Sequence, residues 1–440
     1  MTILAEPATG QEAQVGSVFV SNYPPFSFWQ RELVSEALAA LDRPPRPGVP
    51  LGLYLHIPFC RKRCKFCYFR VYTDKNHDEI GSYLDALARE VEMLAERPAI
   101  AGRGLDFVYI GGGTPSYLSV KQLGGLAERL HAALPWEGAR EVTFECEPGT
   151  LSLAKLQAIK EIGTTRLSLG VENFDDEILR TNGRAHESKE IDRCLPWIDQ
   201  VGFDQLNIDL IAGMLGETWE RWRRTIERTI ELAPDSVTIY QLELPFNTNF
   251  AHGVIEGSLG QGLADWQQKR EWHDYAIDRL GEAGYVRSSA YTMVKGDGRT
   301  QFVYRNSVWQ GCDLAAAGVA SFGHVNGVHM QNVDGWGEYI ATVREGRLPL
   351  GRAYVTSERE RLTRELILQL KLGELGGDYF HAKFGVDVFA ELAPAFERLA
   401  ERGMVELGHN RVSLTRQGLL RVDTLLPELY DPKFRDSRYT

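Results

Sequence analysis

Between residues 51 and 244 the chain alternates short apolar runs with longer amphipathic stretches. The runs Leu51–Ile57, Leu105–Ile110, Glu141–Glu147, Arg166–Glu172, Gln205–Ile211 and Ser236–Leu244 are rich in Val, Ile, Leu and Tyr. Runs of that length and composition predict six buried strands. Between them, Glu79–Glu96, Val120–Ala133, Ser152–Ile162, Ser188–Gln200 and Glu217–Leu232 repeat apolar residues at helical spacing. Alternating strands and helices predict an α/β fold in which right-handed crossovers build a parallel sheet. Six such units, rather than eight, predict a partial (β/α)6 TIM-like barrel.

The flanks read differently. Residues 1–20 carry no period and predict a loose arm, followed by the aromatic segment Tyr23-Pro-Pro-Phe-Ser-Phe-Trp29, a helix over Gln30–Leu41 and a Pro-rich linker. The aromatic segment is expected either to cover the barrel mouth or to pack on the surface. Beyond the barrel, Leu263–Gly281 predicts a helix and Tyr285–Lys295 one further strand, before a Gly-rich aromatic region reaching Gly337. From Tyr354 the pattern becomes helices at Glu358–Lys371, Asp378–Phe384 and Val386–Glu401, a strand pair at Met404–Leu407 and Arg411–Leu414, and a last helix at Thr415–Leu426. That order predicts a C-terminal winged-helix-like domain. The organisation expected is therefore an arm, helix and linker over 1–50, a barrel with its extension over 51–350, and the winged-helix-like domain over 351–440.

Composition narrows the function classes. The 440 residues are 43% hydrophobic and 25% charged, an ordinary globular balance, with a net charge of −11. An acidic protein lacks the field that a phosphate backbone requires, and residues 351–440 hold as many acids as bases, so nucleic acid is not an expected partner even of the winged domain. No apolar run approaches the ~20 residues of a membrane-crossing helix. No signal segment is read at the N-terminus, so the expected location is cytoplasmic.

Three of the six cysteines, Cys60, Cys64 and Cys67, form CxxxCxxC directly after the first predicted strand. A structural zinc would need a fourth ligand, for which His56, His77, Cys146 and Cys194 are candidates. The compact loop suits an iron–sulfur cubane better, and three thiolates would leave one iron open to a small molecule. Further along, Gly111-Gly112-Gly113-Thr114 follows the second strand and lets backbone approach a ligand closely. Glu145 and Glu147 end the third strand on one side of it, where parallel α/β folds gather their ligands.

The motifs Tyr54-x-His56-Ile57-Pro58-Phe59-Cys60, Gly111-Gly112-Gly113-Thr114-Pro115, Gly170-Val171-Glu172 and Asn207-Ile208-Asp209-Leu210 resemble the radical S-adenosylmethionine (SAM) superfamily, and within it the oxygen-independent coproporphyrinogen III oxidase-like family. The resemblance implies a 4Fe-4S cluster on Cys60, Cys64 and Cys67. It further implies two SAM molecules. One would lie by Tyr54, Phe66, Tyr68, Gly111, Gly112, Gly113, Thr114, Glu145 and Phe322, the other by Glu172, Arg184 and Asp209, with Glu172 and Tyr54 in catalytic roles. A small-molecule substrate and an electron donor, a reductase with flavodoxin or a ferredoxin, are implied as partners.

Two departures bear on the reaction. Where the family has Gln after Gly-Val, this chain has Glu172 followed by Asn173, and where porphyrinogen-oxidising members carry a further cysteine two residues after Cys67, it has Phe69. These changes lead to the expectation of radical C-methylation or cyclopropanation at an sp2 carbon of an unsaturated or aromatic small molecule. Oxygen-independent coproporphyrinogen III oxidation and haem trafficking are the alternatives. His324 is a candidate catalytic residue, and Tyr304, Trp309, Trp336 and Tyr339 are candidates for stacking on a flat substrate or for core.

Overall fold

The computed structural model describes residues 15–258, 262–435 and 437, so most of the expected loose arm lies outside the described residues. Six strands, β1 (Leu51–Ile57), β2 (Phe107–Gly112), β3 (Glu141–Cys146), β4 (Arg166–Glu172), β5 (Gln205–Ala212) and β6 (Ser236–Gln241), lie side by side in sequence order and all parallel. Helices His77–Ala95, Val120–Ala133, Leu153–Glu161, Ser188–Val201 and Trp219–Leu232 occur between successive strands. The partial (β/α)6 barrel is thus present.

Strand periodicity decides what the barrel shows its interior. Leu55, Ile57, Ile110 and Phe144 meet Leu123, Leu126 and Leu130 of the helix Val120–Ala133. With a period of two, the intervening Tyr54, His56, Tyr109, Gly111 and Glu145 face the opposite way, into the lumen. The helices begin where a side chain satisfies their first N–H groups: Asn76 and Ser119 each close a reciprocal capping box with Glu79 and Gln122.

The sheet extends past the barrel on both edges. The single strand expected at Tyr285–Lys295 is a hairpin, β7 (Tyr285–Arg287) and β8 (Thr292–Lys295), because the N–H groups of Ser288 and Ser289 turn back onto the Thr292 carbonyl. β8 runs antiparallel to β6. On the other edge β9 (Asp313–Ala317) pairs parallel with β1, and β10 (Phe322–Val325), β11 (Val328–Asn332) and β12 (Leu350–Val355) continue antiparallel. The large sheet therefore runs on to Val355.

The C-terminal domain has the winged-helix-like arrangement, with one strand more than the sequence indicated. β13 (Glu374–Gly376), β14 (Val405–Gly408) and β15 (Arg411–Leu414) form a small antiparallel sheet in the order 13-15-14. The helix expected over Val386–Glu401 is broken into Val388–Glu391 and Ala393–Glu401, since Pro394 offers no N–H to the preceding turn and suits only a helix start. The aromatic segment packs between sheet extension and C-terminus: Tyr23 on Tyr430 and Phe434, Phe26 on Phe322, and Trp29 flat on His329.

Candidate cluster and cofactor site

The cysteine loop is pinned at both ends by backbone. Cys60 N–H donates to the Tyr72 carbonyl at 3.1 Å and Tyr72 N–H to the Pro58 carbonyl at 2.7 Å. Cys67 N–H returns to the Cys64 carbonyl, and Lys65 N–H reaches that of Asn182. Cys60, Cys64 and Cys67 are free thiols, half-buried, and close enough to influence one another electrostatically. Burial pushes the Cys60 thiol up to about 11 and Cys67 up to about 12. Metal binding at this loop must therefore displace protons.

These residues fit a cluster better than a single ion. Among the described residues no three His, Cys, Asp or Glu side chains gather at one ion position. Tetrahedral zinc needs its sulfur ligands about 2.3 Å from one point, whereas a cubane takes each thiolate on a different iron and accepts a wider triangle. His56 Nδ1 lies 3.0 Å from the Tyr54 hydroxyl. Gly113 leaves the room required: a Cβ there would stand 3.1 Å from Cys60 Sγ and 2.9 Å from the Phe59 carbonyl oxygen.

Beside the loop the lumen concentrates charge. Glu145 accepts from the Tyr109 hydroxyl at 2.6 Å and from the Gly112 N–H at 3.0 Å. Gly111 makes this approach feasible, as a Cβ would lie 2.9 Å from the Glu145 carboxylate. Asp209 accepts from Ser168 at 2.8 Å and Asn207 at 2.9 Å. Arg184 donates to Cys64 Sγ at 3.4 Å and to the Gly170 carbonyl at 2.7 Å, and lies 3.5 Å from Glu172. Thr114 donates to Cys60 Sγ at 3.3 Å.

Glu172 stands in the left-handed region, φ +64°, at a register irregularity between β4 and β5. A non-glycine residue held there costs on the order of 1–3 kcal/mol, a strain typical of functional positions. Burial pushes the Glu172 and Glu145 carboxyls each up to about 7, and the nearby Asp209 charge adds to both. Burial raises Asp209 as well. Burial opposes the charge on Arg184, but Cys64, Glu172 and Glu147 outweigh it and hold the guanidinium ionised. Glu147 takes a different part: despite burial, bonds from His186 and Arg61 hold it down to about 2, a structural ion cluster behind the loop.

The structure brings together Tyr54, Gly111, Gly112, Gly113, Thr114, Glu145, Glu172, Arg184, Asp209 and the cysteine loop. Tyr68 adjoins them, near enough to Tyr54 and Tyr240 for the rings' hydroxyls to influence one another. Phe66 packs into a small core with Phe250 and Met214, and Phe322 joins Phe26 and Trp29 in the aromatic cluster of the extension. His324 is bonded to the His329 ring at 2.9 Å in a buried pair. Of the stacking candidates, Tyr304 lies 4.3 Å from the Tyr109 ring, whereas Trp336 packs on Tyr83 and Tyr339 donates to Glu90. Sequence reasoning passed over Tyr109, Ser168 and Tyr240, and named Asn207 only as part of a motif. Tyr109 stands two residues from Gly111 and Ser168 is in register with Glu145, a signal that period-two alternation carries; Tyr240 lies close enough to Asp209, Glu145 and Glu172 to feel their charge.

Comparison with known proteins agrees with this geometry. The radical SAM superfamily model matches residues 54–229, and the HemN C-terminal domain model matches residues 356–421. The chain is 28% identical to an oxygen-independent coproporphyrinogen III oxidase of Pseudomonas aeruginosa, over 92% of this chain and 91% of that one. It is 27% identical to the heme chaperone HemW of Bacillus subtilis, over 83% and 96%. It superposes on the coproporphyrinogen III oxidase HemN of Escherichia coli with a TM-score of 0.81 at 27% identity, covering 93% and 96%. Among the described residues no helix is long and apolar enough to cross a membrane. From its cysteine loop to its C-terminal domain, the chain carries a radical SAM domain and a HemN C-terminal domain and is similar over nearly its whole length to oxygen-independent coproporphyrinogen III oxidases.

Proposed function

We propose that this radical SAM enzyme is an oxidoreductase of the coproporphyrinogen III oxidase type, removing a hydrogen atom, one electron and carbon dioxide from a propionate side chain of a porphyrinogen-like substrate to leave a vinyl group, the electron passing to a one-electron acceptor. The observation that carries the reading is one lumen in which three free thiols, Glu145, Glu172, Asp209 and Arg184 converge. Near-complete coverage of the oxidase relatives supports it further, and the relatives give no support to the methylation or cyclopropanation expected from Glu172 and Phe69. The location proposed is cytoplasmic.

Cys60, Cys64 and Cys67 would hold the 4Fe-4S cluster, with Gly111 to Thr114 and Glu145 against one SAM and Glu172, Arg184 and Asp209 against a second. Reduced cluster and SAM together supply hydrogen-atom abstraction. The protein's own work is positional. Glu145 and Asp209, oriented by Tyr109, Ser168 and Asn207, present carboxylate oxygens suited to ammonium and ribose hydroxyl groups. Arg184 keeps a fixed positive charge between the loop and Glu172, and the surrounding tyrosines exclude water from the reacting carbon.

The test is anaerobic turnover with dithionite, coproporphyrinogen III and SAM labelled as CD3. The expected products are 5′-deoxyadenosine and vinyl-bearing porphyrinogen, without S-adenosylhomocysteine. Labelled methyl in the substrate would establish methyl transfer instead, and tight haem binding with neither nucleoside would establish the trafficking reading.

A further inference from the structure

Tyr240 lies near the end of β6, the last parallel strand of the barrel. Thr238, two residues before it, donates to Asn207 Oδ1 at 3.0 Å, and Asn207 donates to Asp209 at 2.9 Å. Period-two alternation therefore turns Tyr240 into the same lumen. The pairing of β6 with β8 ends where Thr238 meets Thr292, so among the described residues β8 leaves Tyr240 uncovered on that edge. The side chain is 42% open. Protein nevertheless surrounds its hydroxyl: burial pushes it well above its ordinary value, and the charges of Asp209, Glu145 and Glu172 push it further. A group both open and desolvated lines a cavity, and this one keeps its O–H as a donor.

The neighbouring donors are engaged already. The Tyr54 hydroxyl lies 3.0 Å from His56, Tyr109 donates to Glu145, and Arg184 is held by Cys64, the Gly170 carbonyl and Glu172. Among the described residues the Tyr240 hydroxyl has no hydrogen-bond partner. On the wall made by β1 and β2, Tyr54 and Tyr304 flank Tyr109 with ring centroids 6.1 Å and 4.3 Å from it. Tyr240 stands on the β6 wall, within electrostatic reach of Tyr109.

We infer that Tyr240 is a substrate-contacting residue whose hydroxyl donates to the carboxylate of the propionate that the reaction removes. The inference rests on the oxidase reading and adds to it the group that receives the leaving carboxylate. Glu145, Glu172 and Asp209 face this space from both proposed SAM positions, and a substrate carboxylate brought among them is desolvated beside like charge. It needs a donor there, and an uncommitted phenol supplies one. The flat face of the macrocycle then meets the row of rings on the β1 and β2 wall. Fixing the carboxylate also fixes the direction of the carbon–carbon bond that breaks, which is a positioning effect.

The experiment uses holoenzyme with its cluster reconstituted, and compares wild type with Tyr240→Phe, which keeps the ring and removes the donor. With coproporphyrinogen III, SAM and dithionite, kcat/KM for the porphyrinogen should fall roughly tenfold to a hundredfold, the range for a hydrogen bond to a charged group. Vinyl product formed per 5′-deoxyadenosine should fall with it. Cluster content, SAM affinity by equilibrium dialysis and melting temperature should match wild type. A porphyrinogen carrying ethyl groups in place of the reacting propionates, used as a competitive inhibitor, should bind both proteins equally. Wild-type turnover by Tyr240→Phe overturns the inference and leaves the oxidase reading standing. So does an equal loss of affinity for the ethyl analogue, which would assign the hydroxyl to another part of the substrate, or a loss of SAM affinity, which would assign it to the cofactor. Wild type that cleaves SAM but leaves coproporphyrinogen III unchanged would overturn the oxidase reading itself, and the inference with it.

Discussion

Arg184 joins the cysteine loop to the barrel interior: its guanidinium donates to Cys64 Sγ at 3.4 Å and lies 3.5 Å from the Glu172 carboxylate. Both side chains are largely buried. Removing one partner of such a pair typically costs about 3–5 kcal/mol, because the other is left buried and uncompensated. Arg184→Met should therefore lower the melting temperature of the apoprotein, and Glu172→Gln in the same chain should restore part of the loss. Differential scanning calorimetry of the four proteins in this cycle measures the coupling directly.

Cluster assembly should depend on three cysteines and not on the others. Cys60→Ala, Cys64→Ala and Cys67→Ala are each expected to abolish the 4Fe-4S absorption after anaerobic reconstitution, whereas Cys146→Ala, Cys194→Ala and Cys312→Ala keep it. Iron and sulfide determination decides the matter. Tight zinc without iron in the wild type would refute the assignment.

Tyr109→Phe removes the 2.6 Å bond to Glu145 while keeping the ring. A hydrogen bond to a charged group is worth about 1.5–3 kcal/mol, so SAM affinity should fall by roughly one to two powers of ten if Glu145 holds it. Equilibrium dialysis with reconstituted enzyme reads the change, and cluster content serves as the control.

The contribution of Glu145 and Glu172 to apoprotein stability should decline with rising pH. Burial raises Glu145 and Glu172 above their ordinary carboxylate values, to about 7 each. The folded state thus holds protons that the unfolded chain has released. Their contribution is complete below about pH 4.5, the unfolded value, and is lost as pH passes through the folded values near 7. One group moved this far accounts for up to roughly 3 kcal/mol. Urea unfolding of wild type and Glu172→Gln between pH 5 and pH 8 should show wild type losing stability relative to the variant as pH rises; an identical pH slope in the two proteins would contradict the expectation.

Asp209→Ala probes the division between two SAM sites. With Glu145 and the glycine loop intact, SAM cleavage should continue while conversion of the substrate drops. Parallel loss of both activities, with cluster and fold retained, would reject the division.

What the sequence by itself determined was local. Each of the six parallel strands and each helix between them follows from the spacing of apolar residues within one segment. The cysteine loop was legible because its three thiols lie within eight consecutive residues. Local propensity also set its own limits: the break at Pro394 and the turn between β7 and β8 blurred into longer elements, and β13 was missed because its pairing partner is β15, almost forty residues on. The site's chemistry was decided in three dimensions. Arg184 meets Cys64 across 120 positions, and Tyr109 meets Glu145 across 36. The lumen environment that moves Glu145 and Glu172 toward neutrality exists only when β1 to β6 close around them. Phe322, linked to the cofactor by the family resemblance, meets Phe26 and Trp29 from the N-terminal segment, a contact across almost three hundred positions that no local pattern carries. Spacing along a chain fixes which groups one element can present, but burial and the charges contributed by distant segments fix what those groups become.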